Sequence, residues 1–207
     1  MKSLSQFLPF ALLAVFAAAV QAQLKPMSTP DAGTPPAHAF HDSRSGVTLQ
    51  IPAGWELTRK DGEVSTFRLD ARSSTKSTQF RAVANITFNP FPRSTFSGAY
   101  FYTSFTPHLS DAECTHQASA RNSHPVTTTP IAGIPFSHGY DEHGGVCTES
   151  RDEVYTATHK GSCYRFDLVI NNFCGGDVSG VREMTPKELD SIRKRLEAIL
   201  ATVQFDK

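Results

Sequence analysis

The stretch VCTESRDEVYTATHKGSCYRFDLVINNF, residues 146–173, decides the fold. Two runs rich in β-branched and aromatic residues flank Lys160-Gly161, a pattern that predicts two strands joined by a tight hairpin turn. If the turn has no bulge, His159 faces Ser162 and each step outward pairs the next two residues. The stretch therefore predicts the centre of an antiparallel sheet.

Pairing residues outward from this turn also predicts the disulfides of the four cysteines, Cys114, Cys147, Cys163 and Cys174. An even number of cysteines in an exported chain favours disulfides. The ladder brings Cys147 opposite Cys174, where Cα atoms about 4.5–5.5 Å apart are within disulfide reach. Cys163 and Cys174 would lie about 36 Å apart on one strand. Unless the hairpin is bulged, only Cys147–Cys174 with Cys114–Cys163 remains.

Further strands and a short helix are predicted upstream of this hairpin. Alternation of apolar and polar residues marks strands at 47–51, 65–71, 78–91, 98–105 and 131–143. A short helix is predicted at 110–119, because Ser110 is a suitable N-cap and acidic residues follow it in the first turn. The chain is thus predicted to consist mainly of successive strands.

The C-terminal segment shows the start signals of a helix. Thr185 suits the N-cap, Pro186 the first helical position, and Glu188 completes a capping box. One apolar stripe at helical spacing follows, formed by Leu189, Ile192, Leu196, Ile199, Leu200 and Val203. This pattern predicts a helix packed against the sheet.

The N-terminal residues indicate an exported protein. Residues 1–22 have the features of a signal peptide: Lys2, an apolar run over Phe7–Val20 and a cleavage site of small residues. A bacterial lipoprotein would require a cysteine at that site, and none lies near it. The proline-rich residues 23–39 are predicted to form a flexible tether and 40–207 a single domain. No later run approaches the ~20 apolar residues of a membrane span, so we predict a secreted or periplasmic protein.

The charge pattern excludes some partners. The chain of 207 residues has 20 lysines and arginines against 20 aspartates and glutamates. It contains no block of like charge, so it lacks the basic surface that nucleic acids or anionic membranes require. We therefore expect no nucleic-acid partner.

The stretch HGYDEHGGVC, residues 138–147, combines residue types that can bind a metal. A zinc site needs three or four converging ligands, but alternation along a strand places His138 on one face and Asp141 and His143 on the other. We interpret these residues as the polar face of a strand and predict no cofactor. The alternative is a metal-dependent hydrolase or metal carrier that uses the His138–His143 region, with His159 as a further ligand.

Aromatic residues on the predicted strands offer a second candidate site. Tyrosine and tryptophan are enriched at protein interfaces. Four of them, Trp55, Tyr100, Tyr102 and Tyr140, could form an exposed contact face. The competing interpretation is that these residues belong to the core of the sheet.

Three segments resemble one known superfamily. GVTLQIPAGW (46–55), VYTATHKGSCYRFDLVI (154–170) and the end of the final helix, ILATVQF (199–205), are similar to members of the PsbP and Mog1-like superfamily. The resemblance implies an α+β fold, an α/β/α sandwich around a central antiparallel sheet. It also implies a binding or assembly module rather than an enzyme. We therefore predict an exported, non-catalytic module with two disulfides, whose partner is a protein or another envelope component.

Overall fold

The structure, a computed structural model, describes residues 34–60, 79–119, 124–145, 147–173, 175 and 180–207, with only the backbone at His143. The predicted signal peptide, most of the predicted tether and the predicted strand at 65–71 lie outside these residues. Within them, no helix combines the length and apolar character needed to cross a membrane.

Ten strands and two helices are described. In chain order they are β1 (His38–Asp42), β2 (Val47–Ile51), β3 (Trp55–Thr58), β4 (Gln79–Ile86), β5 (Phe96–Pro107), α1 (Asp111–Ser119), β6 (Thr127–Ile131), β7 (Ile134–Gly145), β8 (Thr148–His159), β9 (Ser162–Phe173), α2 (Pro186–Leu200) and β10 (Gln204–Phe205).

The described strands form two sheets. The larger has seven strands in the order β3-β4-β5-β9-β8-β7-β6, and every neighbouring pair is antiparallel. The smaller has the order β1-β2-β10. The predicted central antiparallel sheet is therefore present, with β9 at its middle.

The β8–β9 hairpin has the predicted register. His159 lies opposite Ser162, and the ladder continues without a shift to Thr148 and Phe173. Lys160 and Gly161 have φ of 47° and 74°, the left-handed conformation that both central residues of a type I′ turn require. This turn matches the twist of the strands and so holds the register.

A second hairpin was not predicted. The sequence indicated one strand over 131–143, whereas Ala132 and Gly133 form a turn between β6 and β7 with φ of 50° and 79°. The prediction was wrong because Ala-Gly is a weak turn signal and apolar residues continue on both sides of it.

One face of the large sheet packs against α2 and the smaller sheet. Phe166, Leu168 and Ile170 of β9 share a buried cluster with Ile192 and Leu196 of α2. The predicted capping box is present, because Thr185 and Glu188 each accept a hydrogen bond from the other's backbone N–H. The predicted helix on the sheet is thus confirmed.

The opposite face carries α1. Alternation along β9 places Cys163, Arg165, Asp167 and Val169 on this second face. A disulfide joins Cys163 to Cys114 of α1, with Cα atoms 5.5 Å apart. With one helix on each face of an antiparallel sheet, the molecule is an α/β/α sandwich of the α+β class, as predicted.

Burial of three of the four aromatic side chains contradicts the expected aromatic contact face. Trp55, Tyr100 and Tyr102 are 2%, 8% and 0% exposed. Trp55 packs in the cluster beneath α2, and both tyrosines pack with Val83 and Val169 on the second face. The expectation was wrong because packing covers these side chains on both faces of the sheet, and it reaches Trp55 even on the edge strand β3.

The smaller sheet is tied to the large one through Asp42. This carboxylate, 1% exposed, accepts hydrogen bonds of 2.7 and 2.8 Å from Arg81 of β4 and others from Ser45 and Arg59. Burial alone would raise the pKa of Asp42, but these bonds outweigh burial and hold it well below its usual range. Asp42 therefore stays charged and is neutralised by arginine.

We expect Asp42→Asn to lower the free energy of unfolding at neutral pH by about 3–5 kcal/mol, because it leaves Arg81 buried without its anion. The folded pKa of Asp42 lies below its unfolded value, so its contribution to stability is present above about pH 4 and is lost as the pH falls. Urea unfolding at neutral and acid pH should therefore show that the free energy of unfolding falls less on acidification in the variant than in the wild type. The exposed Asp111→Asn is the control, and an equal acid loss in both variants would contradict the assignment.

The second disulfide remains a prediction. Cys174 lies outside the described residues, but Thr148 and Phe173, the last pair of the β8–β9 ladder, immediately adjoin Cys147 and Cys174. Non-reducing peptide mapping of the exported protein should recover Cys114 linked to Cys163 and Cys147 linked to Cys174. A peptide linking Cys163 to Cys174 would show that the pairing derived from the ladder is wrong.

Candidate functional site

A groove runs between the outer strands of the large sheet and α2. Cross-strand pairing sets His138 and Tyr140 of β7 opposite Tyr155 and Glu153 of β8. All four are on the sheet face that α2 covers. The strand period of two therefore brings alternate polar and aromatic residues into one row.

The other wall of the groove comes from α2. Leu189, Arg193 and Leu196 recur at helical spacing, so they share the side of α2 that faces these strands. Leu196 is fully buried and Leu189 half-buried. The helix thus contributes an apolar floor and, with Asp190, two charged side chains at the rim.

Two adjacent cavities, whose linings share three residues, make up the groove. The inner one, of about 260 Å³, has an apolar floor formed by Leu168, Ile170, Leu189 and Leu196. The outer one, of about 510 Å³, is lined mainly by polar residues, which include His124, Thr127, His138 and Glu142. Tyr140, Glu153 and Arg193 line both cavities. The groove therefore changes from apolar to polar along its length.

His138 is held on three sides. Its ring is parallel to the Tyr155 ring, with centroids 4.3 Å apart. Its Nε2 is hydrogen-bonded to a Glu153 carboxylate oxygen, and its Nδ1 lies 3.3 Å from the Thr127 hydroxyl. A carboxylate only accepts, so in the neutral ring Nε2 donates to Glu153 and Nδ1 accepts from Thr127. The imidazole is fixed in position, and both of its nitrogens are occupied.

Tyr140 stands where the two cavities meet. Its hydroxyl donates to Glu142 over 3.0 Å, and the His124 ring packs edge-on with centroids 5.2 Å apart. Burial, and then the bond to Glu142, raise the pKa of Tyr140. The phenol therefore stays protonated and presents a half-buried aromatic surface to the groove.

The charged groups at the rim neutralise one another. Arg151 lies 3.2 Å from Glu142 and 2.8 Å from Glu149. Burial, and then hydrogen bonding to Glu142, raise the pKa of Glu149. Arg193 is paired with Asp190 on its own helix. The rim thus presents paired charges of both signs.

The candidate metal ligands do not converge. His138 is on the face covered by α2, whereas Asp141 is on the opposite face. His159 lies at the hairpin end of β8, with its ring centroid 5.1 Å from that of Phe205. The side chain of His143 is not described. No group of three His, Cys, Asp or Glu side chains within the described part of the chain could hold a metal ion.

The sequence interpretation missed most of the groove. Of the predicted contact residues only Tyr140 lines it, and Glu153, Arg193 and Leu189 were not singled out. The β7–β8 register would have revealed Glu153 opposite Tyr140. The turn near Gly144-Gly145, however, carries no signal that fixes this register.

Comparison with known proteins gives few matches. No protein-family model and no curated protein matches the chain. Similar solved structures include cyanobacterial PsbP from Synechocystis sp. (TM-score 0.46, 11% identity, 86% of this chain and 98% of that one). LpqN of Mycobacterium tuberculosis, described as involved in cell envelope biogenesis, has a TM-score of 0.44 and 10% identity, over 83% of this chain and 91% of that one.

A protein from Bacteroides thetaiotaomicron is similar at a TM-score of 0.44 and 11% identity, over 82% of this chain. The chain spans only 48% of that protein. A PsbP protein is thus among the similar structures, in line with the resemblance noted in the sequence. Likenesses this low carry no argument about function.

We expect His138→Ala to lower the free energy of unfolding by about 1–3 kcal/mol. The change removes the stacked ring from Tyr155 and leaves the largely buried Glu153 carboxylate without its donor. Urea unfolding at neutral pH measures the loss. His116→Ala, an exposed position on α1, is the control and should change little; equal losses would show that the His138 contacts contribute no stability.

Proposed function

We propose that this protein is an exported, non-catalytic binding module that takes a small amphipathic molecule into the groove between β7–β8 and α2. The observation that carries the proposal is that an apolar inner cavity of about 260 Å³ and a polar outer one of about 510 Å³ lie side by side and share Tyr140, Glu153 and Arg193 in their linings. Pockets for small ligands commonly have volumes of ~300–1,000 Å³ and combine apolar walls with a few fixed polar groups.

The inner cavity suits an alkyl or similar apolar portion of the ligand. Leu168, Ile170, Leu189 and Leu196 offer carbon surface on two sides, and none of them can hydrogen-bond. Transfer of apolar surface from water is favourable at roughly 25 cal/mol per Å². This term would provide most of the affinity.

The outer cavity suits an uncharged head rich in hydroxyl groups. The charged side chains that line it already have partners: Glu142 is paired with Arg151, and Arg193 is paired with Asp190. A charged head would have to displace one partner and leave another charge uncompensated in a half-buried site, which is unfavourable. Hydroxyl groups can both donate and accept, so they can bind these ion pairs without separating them.

Export is supported by two features. The first 22 residues have the composition of a signal peptide, and the Cys114–Cys163 disulfide is of the kind that persists in oxidising compartments. A molecule with an alkyl chain and a polar head is typical of a cell envelope. The proposed partner is accordingly an envelope lipid or glycolipid of modest size.

An NMR titration of the isotope-labelled protein with octyl glucoside, kept below its micelle concentration, tests the proposal. We expect saturable shifts at the amides of Tyr140, Glu153 and Leu189. Octanoate and glucose should bind more weakly, because the first carries a charged head and the second lacks the alkyl chain. Absence of saturable shifts in the groove would overturn the proposal.

A matched pair of variants separates binding from stability. Leu189→Asn places a polar group on the groove floor and should weaken octyl glucoside binding about tenfold, equivalent to 1.4 kcal/mol. Leu57→Asn changes another half-buried leucine that packs on the same core but does not line the groove. It should leave the affinity unchanged, and equal weakening in both variants would count against binding in the groove.

A further inference from the structure

The second face of the large sheet buries more acid than base. Asp152 and Asp167 are 2% and 0% exposed, and Arg165, two residues from Asp167 on β9, is 5% exposed. The Arg165 Nε atom donates to both Asp167 oxygens, at 2.9 and 3.0 Å. The same guanidinium lies 4.0 Å from an Asp152 oxygen. One buried cation thus serves two buried carboxyl groups, and it is committed to Asp167.

The surrounding elements supply no second cation within the described residues. Asp141 of β7 lies opposite Asp152, and Tyr102 of β5 lies opposite Asp167. From α1, the buried side chains are Cys114, Gln117 and Ala118, none of which carries a positive charge. The Asp152 Oδ1 atom is buried and has no hydrogen-bond partner among the described residues. The surroundings therefore add negative charge to the pair.

We propose that Asp152 and Asp167 share one proton at neutral pH, and that its loss at alkaline pH loosens the strands that line the groove. A buried carboxylate without a counter-ion is strongly unfavourable, and binding a proton removes the charge. Protonated Asp152 can also donate to the Asp167 carboxylate, which makes a charge-assisted hydrogen bond. This inference concerns the opposite face of the sheet and does not depend on the ligand proposed above.

Charge effects at these residues support the assignment. Burial, and then the neighbouring Asp167, raise the pKa of Asp152 well above that of an exposed aspartate. A carboxyl group with a raised folded pKa contributes stability that is complete below its unfolded value, about 3.9. That contribution is lost as the pH rises through the folded pKa. Stability should therefore decrease towards alkaline pH.

The residues on either side of Asp152 in β8 link its carboxyl group to the groove. Arg151 and Glu153, the neighbours of Asp152 in β8, both line the groove on the other face. An ionised Asp152 would have to draw in water, and water can enter only if the packing above β8 opens. Because strand neighbours point to opposite faces, movement of β8 displaces both groove side chains.

The test compares thermal unfolding of the wild type and Asp152→Asn at about pH 5 and about pH 9. The asparagine keeps the shape but cannot ionise. We expect the wild-type melting temperature to fall by several degrees more than that of the variant. Asp111→Asn, an exposed change on α1, is the matched control, and its melting temperature should fall with pH as much as that of the wild type.

A direct measurement decides the case even if Asp152→Asn fails to fold. Carbon-13 NMR of the aspartate carboxyl groups in the wild-type protein should show one group that stays protonated at neutral pH. If every aspartate titrates near or below the ordinary value of about 3.9, the shared proton is absent and the proposal is overturned. An equal fall in melting temperature from acid to alkaline pH in the wild type and in Asp152→Asn would overturn it as well.

Discussion

The register of the β8–β9 hairpin is the constraint on which the rest of the structure depends. Lys160 and Gly161 form a turn that fixes His159 opposite Ser162, and the unshifted ladder then assigns every side chain to one face. A slip by one residue would exchange Phe166 with Arg165 and place charge in the apolar core. The face on which each residue of the core, the disulfide, the groove and the buried acid pair lies is set by this one pairing.

Charged groups are treated differently in three parts of the molecule. Between the two sheets, Asp42 is buried with arginine partners and is stabilised as an anion. At the groove, acids and arginines pair with each other and leave polar but neutralised walls. On the second face, Asp152 and Asp167 share Arg165, the arginine that lies near both of them among the described residues. Aspartate thus acts as a charged link between the sheets at Asp42 and as a proton-binding group at Asp152, because the number of nearby cations differs.

Much of the fold could be predicted from local sequence signals. The hairpin at Lys160-Gly161 and the helix start at Thr185 depend on a few adjacent residues, so the sequence alone revealed both. The β6–β7 turn was missed because Ala132-Gly133 is a weak signal between apolar residues. The prediction of an exposed aromatic face was wrong. Alternation shows that Tyr100 and Phe101 point to opposite faces of the sheet, but it does not show that both faces are covered.

The sequence by itself determined the main secondary structure and the central hairpin register, because these depend on contacts between near neighbours in the chain. Only the tertiary structure decided the groove and the buried acid pair. Tyr140 and Arg193 line the same groove because α2 packs on that part of the sheet, and Asp152 shares the cation Arg165 with Asp167 because of what packs around these strands. Such contacts join residues far apart in sequence, and no local pattern records them.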